Sequence, residues 1–306
     1  MPFPIYTHPA CLAHDTGPGH AERPQRLTAV IDALRAGCED LDWREAPRAR
    51  AGQLLRVHAP ALVEQVLAPT DAMVALDPDT VLSPASAEAA LRAAGAVLAA
   101  VDAACAGHAP RAFCAVRPPG HHATAGTAMG FCLFNAVAVA AAHALHAHGL
   151  ARVTIVDFDV HHGNGTQDIF EHEPRVQYAS SHQWPLYPGT GDARERGVGN
   201  VCNAPLPPGS GSRRFREAWT GTLLPAIDAF APQLVLVSAG FDAHWRDPLA
   251  QLQLDAGDFA WITQELGVLA DRHAGGRMVS ALEGGYDLDA LAECSVAHVQ
   301  ALRAAA

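Results

Sequence analysis

Two carboxylates and an imidazole occupy alternate positions in Val156-Asp157-Phe158-Asp159-Val160-His161. In an extended chain, positions i, i+2 and i+4 point to one side, so Asp157, Asp159 and His161 would present oxygen and nitrogen donors to the same space. Such donors suit a divalent metal. A catalytic zinc takes three protein ligands and keeps one position open. Asp159 and His161 supply two, and Asp242, in the segment Ser238-Ala239-Gly240-Phe241-Asp242-Ala243-His244, can supply the third. Strand-end aspartates equally often cap a following helix or bind loop amides, and spacing alone does not separate the two readings.

A second group of residues could move protons. His121 and His122 follow Pro118-Pro119-Gly120, a stretch that suppresses helix and stiffens the loop that aims the rings. Histidine titrates in the range that amide hydrolysis needs, where a base must deprotonate water and an acid must protonate the leaving amine. Asp157 and the side-chain oxygen of Asn164 are natural acceptors for one imidazole N–H each. Tyr286, after Gly284-Gly285, can bring a phenol to the same crevice and stabilise an oxyanion. Each feature has an ordinary alternative, a surface histidine pair or a tyrosine that only packs. Of the 17 histidines, His143, His146 and His148 fall in a helical pattern and read as helix-surface residues.

These side chains lie far apart in the chain, so strands must gather them. Apolar or β-branched runs predict strands at 3–6, 111–116, 152–157, 176–180, 234–238 and 278–282. Helical periodicity predicts helices at 24–36, 87–106, 135–148, 213–230, 257–272 and 287–304. Alternation of this kind implies a parallel α/β sheet with helical crossovers. Four of the strands run into the polar segments RPPGHH, DFDVHHGNGT, AGFDAH and EGGY, which places all four on the carboxyl edge where open parallel sheets bind ligands.

Composition narrows the classes of function. The 306 residues suit one catalytic domain over 1–306, and the net charge of -11 argues against nonspecific binding to nucleic acid or an anionic membrane. Seven cysteines form no CxxC pair, and the first residues show no secretory pattern, so a cytoplasmic setting is expected. The alanine-rich stretches at 89–106 and 136–149 carry charges or histidines and read as helices outside a membrane. Assembly of identical copies is compatible with all of this.

In this order, RPPGHHA, GFCLFN, DFDVHHGNGTQ, YPGTGD, SAGFDAH and EGGY resemble the zinc-dependent histone deacetylase superfamily, which includes acetylpolyamine amidohydrolases and acetoin-utilisation proteins. The resemblance runs from Gly17 to Tyr286. It implies the arginase/deacetylase type of α/β fold, with a mostly parallel sheet of about eight strands. It implies one Zn2+ on Asp159, His161 and Asp242, with Asp157 orienting His121 and Asn164 orienting His122. His122 would be the main general base and acid, His121 chiefly an electrostatic aid, and Tyr286 the carbonyl donor. Gly130, Phe131, Tyr187 and Leu249 would wall a substrate tunnel, with Asp79 at its rim. A structural K+ would sit on main-chain oxygens of Asp157, Asp159 and His161 with Ser180 and Ser181. Departures from the family pattern also carry information. Asn164 stands where many relatives have Asp, as in the class II subgroup. Ala136 follows Asn135 where a second Asn is common, Tyr187 replaces a frequent Phe, and Leu249 stands where polyamine-specific relatives carry a Glu gatekeeper. The implied substrate is an acetylated lysine, peptide or small acyl-amine. The alternatives are another small acylated amine, amide or ester at the same zinc site, a non-catalytic acyl-lysine binder, and a binuclear manganese ureohydrolase of related fold.

Overall fold

A computed structural model describes residues 2–304. The apolar runs form the strands β1 (Phe3–Thr7), β2 (Leu41–Glu45), β3 (Val74–Ala75), β4 (Val81–Leu82), β5 (Arg111–Cys114), β6 (Val153–Asp157), β7 (Val176–Gln183), β8 (Val201–Leu206), β9 (Leu234–Ala239) and β10 (Met278–Leu282). Eight of them make one sheet in the order β2-β1-β5-β10-β9-β6-β7-β8, with every pair parallel, and β3 and β4 form a separate antiparallel hairpin. The fold is therefore the expected single-sheet α/β arrangement.

Burial follows the apolar pattern. Every residue of β5, β6, β7, β9 and β10 is buried, as parallel strands covered on both faces require. The helices Pro24–Gly37, Ala256–Ala274 and Leu288–Ala304 pack side by side, and Ser86–Cys105 packs against Ala136–Ala147. The helix expected at 213–230 is continuous but widens into a π turn at Trp219–Leu223, between α segments Ser212–Ala218 and Leu224–Phe230. Pro225 has no N–H to give the carbonyl four residues back, so the regular ladder is interrupted where the turn widens. Asn135 caps the Ala136–Ala147 helix by accepting from the Ala138 N–H at 3.0 Å, which starts that helix just beyond the histidine loop.

Four strands are missing from the sequence reading, the β3–β4 hairpin and two strands of the main sheet, β2 and β8, which lie at that sheet's two edges. β2 reads Leu-Asp-Trp-Arg-Glu and β8 carries Asn203 and Pro205, so neither shows the apolar run of a central strand.

One crossing fixes the layer of the Ser86–Cys105 helix. Chain 46–49 passes directly over Gly95, where an added Cβ would fall 1.8 Å from the Pro47 carbonyl oxygen, and the Ala49 N–H binds Leu91 O at 2.9 Å. Alanine normally improves a helix interior by about 1 kcal/mol over glycine. Here Gly95→Ala should instead destabilise the fold by roughly 1–3 kcal/mol, the usual cost of overpacking. Urea denaturation of the two proteins measures the sign directly.

Candidate active site

The four motif-bearing strands β5, β10, β9 and β6 are consecutive in the sheet, and their carboxyl ends are in register through Cys114–Ala281, Leu282–Ala239 and Ser238–Asp157. The loops that leave them therefore converge. After β5, the peptide Arg117–Pro118 is cis and the chain reaches Gly120, whose N–H donates to Glu283 Oε2 at 2.6 Å. His121 N donates to the same oxygen at 3.2 Å, so one buried carboxylate from the β10 loop anchors the histidine loop.

Each imidazole has its own partner. His121 Nδ1 lies 3.0 Å from Asp157 Oδ2, and His122 Nδ1 lies 2.8 Å from Asn164 Oδ1. Asn164 Nδ2 faces the Met129 sulfur, which assigns Oδ1 as the acceptor toward His122. His122 Nδ1 then carries the proton, and Nε2 keeps its lone pair. The ring centroids are 4.0 Å apart. Burial works against the charged form of His121, but Asp159 and Asp157 outweigh it and hold its pKa well above the ordinary histidine value. Burial, joined by His121 and His161, pushes His122 well below that value. The surroundings thus shift the two imidazoles in opposite directions.

Asp159, His161 and Asp242 meet beside the rings. His161 Nδ1 lies 3.1 Å from Asp159 Oδ1 and 3.2 Å from Asp242 Oδ2. Their ligand atoms all fall within 4.8 Å of one another. Both carboxylates are fully buried, and among the described residues no Arg side chain bonds to either. Burial opposes protonation of His161, yet the two carboxylates draw its pKa up to about 10, which expresses their demand for positive charge. Two carboxylates and one imidazole are a fitting donor set for zinc. The surroundings leave room for that cluster alone. A Cβ at Gly240 would sit 2.0 Å from Asp159 Oδ2, and one at Gly284 would sit 2.1 Å from Asp242 Oδ2.

The geometry corrects the idea that Asp157, Asp159 and His161 share one face. Strand β6 ends at Asp157, and residues 158–163 turn. Asp157 therefore points to His121 and the Tyr178 hydroxyl, at 3.0 and 3.1 Å, while Asp159 and His161 turn toward Asp242. Ser180 and Ser181 lie buried on β7, with Ser180 paired to Asp157 in the sheet. The Ser180 hydroxyl contacts His182 Nδ1 at 2.9 Å, and the Ser181 hydroxyl accepts from Trp219 Nε1 at 3.1 Å.

Above the cluster, Asp79, His122, Gly130, Phe131, His161, Leu186, Tyr187, Leu249 and Tyr286 line a cavity of about 240 Å³. All five residues expected to contact substrate are in this lining. Phe131 holds φ at 68°, a left-handed conformation that a phenylalanine rarely adopts, and its N–H is fixed by Thr80 Oγ1 at 3.0 Å. A larger cavity, about 310 Å³, opens at the opposite edge of the sheet near Phe3 and Arg111, but it lacks this convergence of ligands and proton carriers.

The tyrosine loop is held from behind. Tyr286 N donates to Asp247 Oδ2 at 2.7 Å, and the Arg26 guanidinium lies 4.7 Å from the Tyr286 ring centre. Arg26 also donates to Gly285 O at 2.6 Å and Glu283 O at 2.5 Å. Glu22 bridges Arg26 Nη1 at 3.0 Å and Arg117 Nη2 at 2.6 Å, and all three side chains are fully buried. The segment before the Pro24–Gly37 helix is thereby tied to both catalytic loops. The sequence assigns no role to Glu22, Arg26, Arg117, Asp247 or Glu283, although Glu22 and Arg26 fall in the family-like segment 17–27 and Arg117 and Glu283 in RPPGHH and EGGY. His143 corrects another expectation. It is buried, bonded to Asp102 and Arg56, whereas His146 is exposed.

The histone deacetylase domain family matches residues 20–302. The histone deacetylase-like amidohydrolase of Pseudomonas aeruginosa is 40% identical over 318 residues, covering 95% of this chain and 83% of its own length. The human polyamine deacetylase HDAC10 is 43% identical over 303 residues, covering 92% of this chain and 44% of that protein. The crystal structure of the HDA15 HD domain superposes with a TM-score of 0.93 at 36% identity, over 98% of this chain and 88% of the other. A parallel-sheet fold with this donor cluster at its carboxyl edge is thus that of a deacetylase-type hydrolase. The chain belongs to the histone deacetylase family.

The Glu22 bridge makes a testable contribution to stability. Burial alone would raise its pKa, but Arg117 and Arg26 bring it from the ordinary 4.5 down to about 2. A depressed carboxylate contributes stability above its unfolded pKa and loses it as pH falls toward the folded one. That contribution is on the order of 3 kcal/mol at neutral pH. Glu22→Gln should therefore be clearly less stable than wild type near pH 7, with the gap shrinking toward pH 2. A gap that stays constant in urea melts at about pH 7 and about pH 3 would refute the ionic role.

Proposed function

We propose that this chain is a zinc-dependent deacetylase that hydrolyses the amide of N-acetylated lysine, or of a similar acyl-amine, to acetate and the free amine. The observation that carries this reading is the meeting of Asp159, His161 and Asp242 beneath a cavity that also exposes His122 and Tyr286. Those three residues would hold the zinc, which supplies Lewis-acid activation of water and of the substrate carbonyl when bound.

The remaining chemistry falls to the chain's own side chains. His122 Nε2 accepts a proton from the attacking water, because Asn164 commits Nδ1 to donation. His121, whose Nδ1 faces the Asp157 carboxylate, stabilises the negative charge that grows as water adds. The Tyr286 phenol, held neutral by burial, donates to the carbonyl oxygen as it becomes an oxyanion. The proton taken up by His122 Nε2 then passes to the departing nitrogen as the C–N bond breaks. Phe131 and Tyr187 flank the cavity and suit the methylene stem of a lysine. A structural K+ on the main-chain oxygens of Asp157, Asp159 and His161 with Ser180 and Ser181 belongs to the same proposal. It is supported by the pairing of Ser180 with Asp157 and by an oxygen-only donor set suited to a hard cation.

Leu249 in the lining brings no carboxylate to meet a distant ammonium, which favours acetyl-lysine over acetylpolyamine. Among the described residues no helix is long and apolar enough to cross a membrane, and the seven free cysteines support a reducing compartment, for which we propose the cytoplasm.

Replacing the phenol and a ligand should give different losses. Tyr286→Phe should keep its zinc and lose about 10²–10³ in turnover, the scale of one oxyanion donor. Asp242→Ala should lose the metal itself, measured by elemental analysis, and an unchanged zinc content would refute the ligand assignment. A panel of acetyl-lysine peptides, free acetyl-lysine and acetylated polyamines tests the substrate. A marked preference for polyamines would overturn the lysine reading.

A further inference from the structure

A second convergence of ligand atoms lies outside the catalytic crevice. His143 Nε2 and His148 Nε2 each approach Asp102 Oδ1 at 2.7 Å, and the three ligand atoms fall within 4.8 Å of one another. His143 is a buried imidazole in a helix whose other buried positions are alanine, valine and leucine. His148 is that helix's C-cap residue, and Asp102 lies in the last turn of the Ser86–Cys105 helix. Two helix carboxyl ends therefore meet at this cluster, and both helix dipoles present negative charge to it. The side chains of Asp102 and His148 are 54% and 24% exposed, so an ion can enter from solvent.

We propose that Asp102, His143 and His148 form a second divalent-cation site, selective for zinc, cobalt or nickel, that clamps the carboxyl ends of these two helices together. Two imidazoles and one carboxylate are borderline donors that favour such ions over magnesium or calcium. Tetrahedral zinc places its ligand atoms about 3.3 Å apart, given metal–ligand bonds of about 2.0–2.1 Å. The 2.7 Å contacts reach that spacing by a small outward shift. The site lies at the far end of the 12-residue Ala136–Ala147 helix, about 18 Å from the end that abuts the histidine loop, and it does not depend on the proposed catalysis.

Arg56 opposes the ion in a specific way. Its Nη1 donates to His143 Nδ1 at 2.8 Å, which commits the histidine proton to Nε2 and so to Asp102. Binding a cation at Nε2 moves that proton to Nδ1, and the exposed Arg56 must then turn away. Arg56 thereby weakens the site without blocking it.

The test is a cobalt titration of chelator-treated full chain, read by visible absorbance, equilibrium dialysis and melting temperature. Wild type should bind two ions per chain, His148→Ala one, Asp242→Ala one, and the double variant none. The ion that remains in Asp242→Ala should raise its melting temperature, and Arg56→Met should tighten that ion severalfold. Two ions in His148→Ala, or none in a folded Asp242→Ala, would overturn the second site. Failure of Asp242→Ala to lose an ion would instead count against the catalytic ligand set, so the two readings fail separately.

Discussion

Four carboxylates with almost no exposure, Asp157, Asp159, Asp242 and Glu283, meet at one edge of a single sheet, and the rest of the site exists to make that arrangement tolerable. An unpaired buried carboxylate costs several kcal/mol, more than most single interactions in a domain return. The chain meets this cost chiefly with backbone amides. Asp159 accepts from the N–H groups of His161 and Gly284, Asp157 from Asp159, Asp242 from Val160, and Glu283 from Gly120 and His121. Glycine at 240 and 284 leaves the carboxylates their space, since a Cβ at either position would sit against Asp159 Oδ2 or Asp242 Oδ2. Hydrogen bonds satisfy the oxygens, and the positive charge that Asp159 and Asp242 draw onto His161 shows that the pair still calls for a cation. On the proposed function, a bound cation would complete what the amides begin.

Sheet order explains why the chemistry gathers. In the chain the motif strands run β5, β6, β9, β10, yet in space they run β5, β10, β9, β6. That permutation sets the histidine loop beside Glu283 and Tyr286, and the loop of Asp242 beside that of Asp159. Neighbours in sequence would have left the carboxylate that anchors His121 on the wrong side of the crevice. The Glu22 bridge to Arg26 and Arg117 then ties the neighbouring loops after β5 and β10 together, which sets the rings beside the phenol.

What the sequence made legible follows the same physics. Central strands were readable because burial on both faces demands unbroken apolar runs. The edge strands Leu41–Glu45 and Val201–Leu206 were not, since an edge admits charge and proline. The candidate catalytic and ligand residues stood out in the sequence because their side chains are scarce and clustered. Their supports were harder to see. Asp247 and Glu283 work by accepting backbone N–H groups from loops distant in sequence, and no local spacing encodes such a contact. Periodicity also fails where a strand stops, as at Asp157, and it cannot tell a histidine on a solvent face from His143, whose partner Asp102 belongs to another helix.

The two active-site imidazoles show how adjacent identical residues acquire different duties. Both are buried, and burial lowers the pKa of each. What separates them is the nature of the partner at Nδ1. A carboxylate behind His121 favours the imidazolium, and a neutral amide behind His122 offers orientation with little charge. Once His121 is cationic, its field lowers His122 further, so the assignment reinforces itself across 4.0 Å between ring centres. A base must be neutral before it accepts a proton, and an electrostatic aid must be charged throughout. On the proposed reaction, asparagine at 164 thus sharpens the division of labour, keeping His122 free to take the proton while His121 never gives one up.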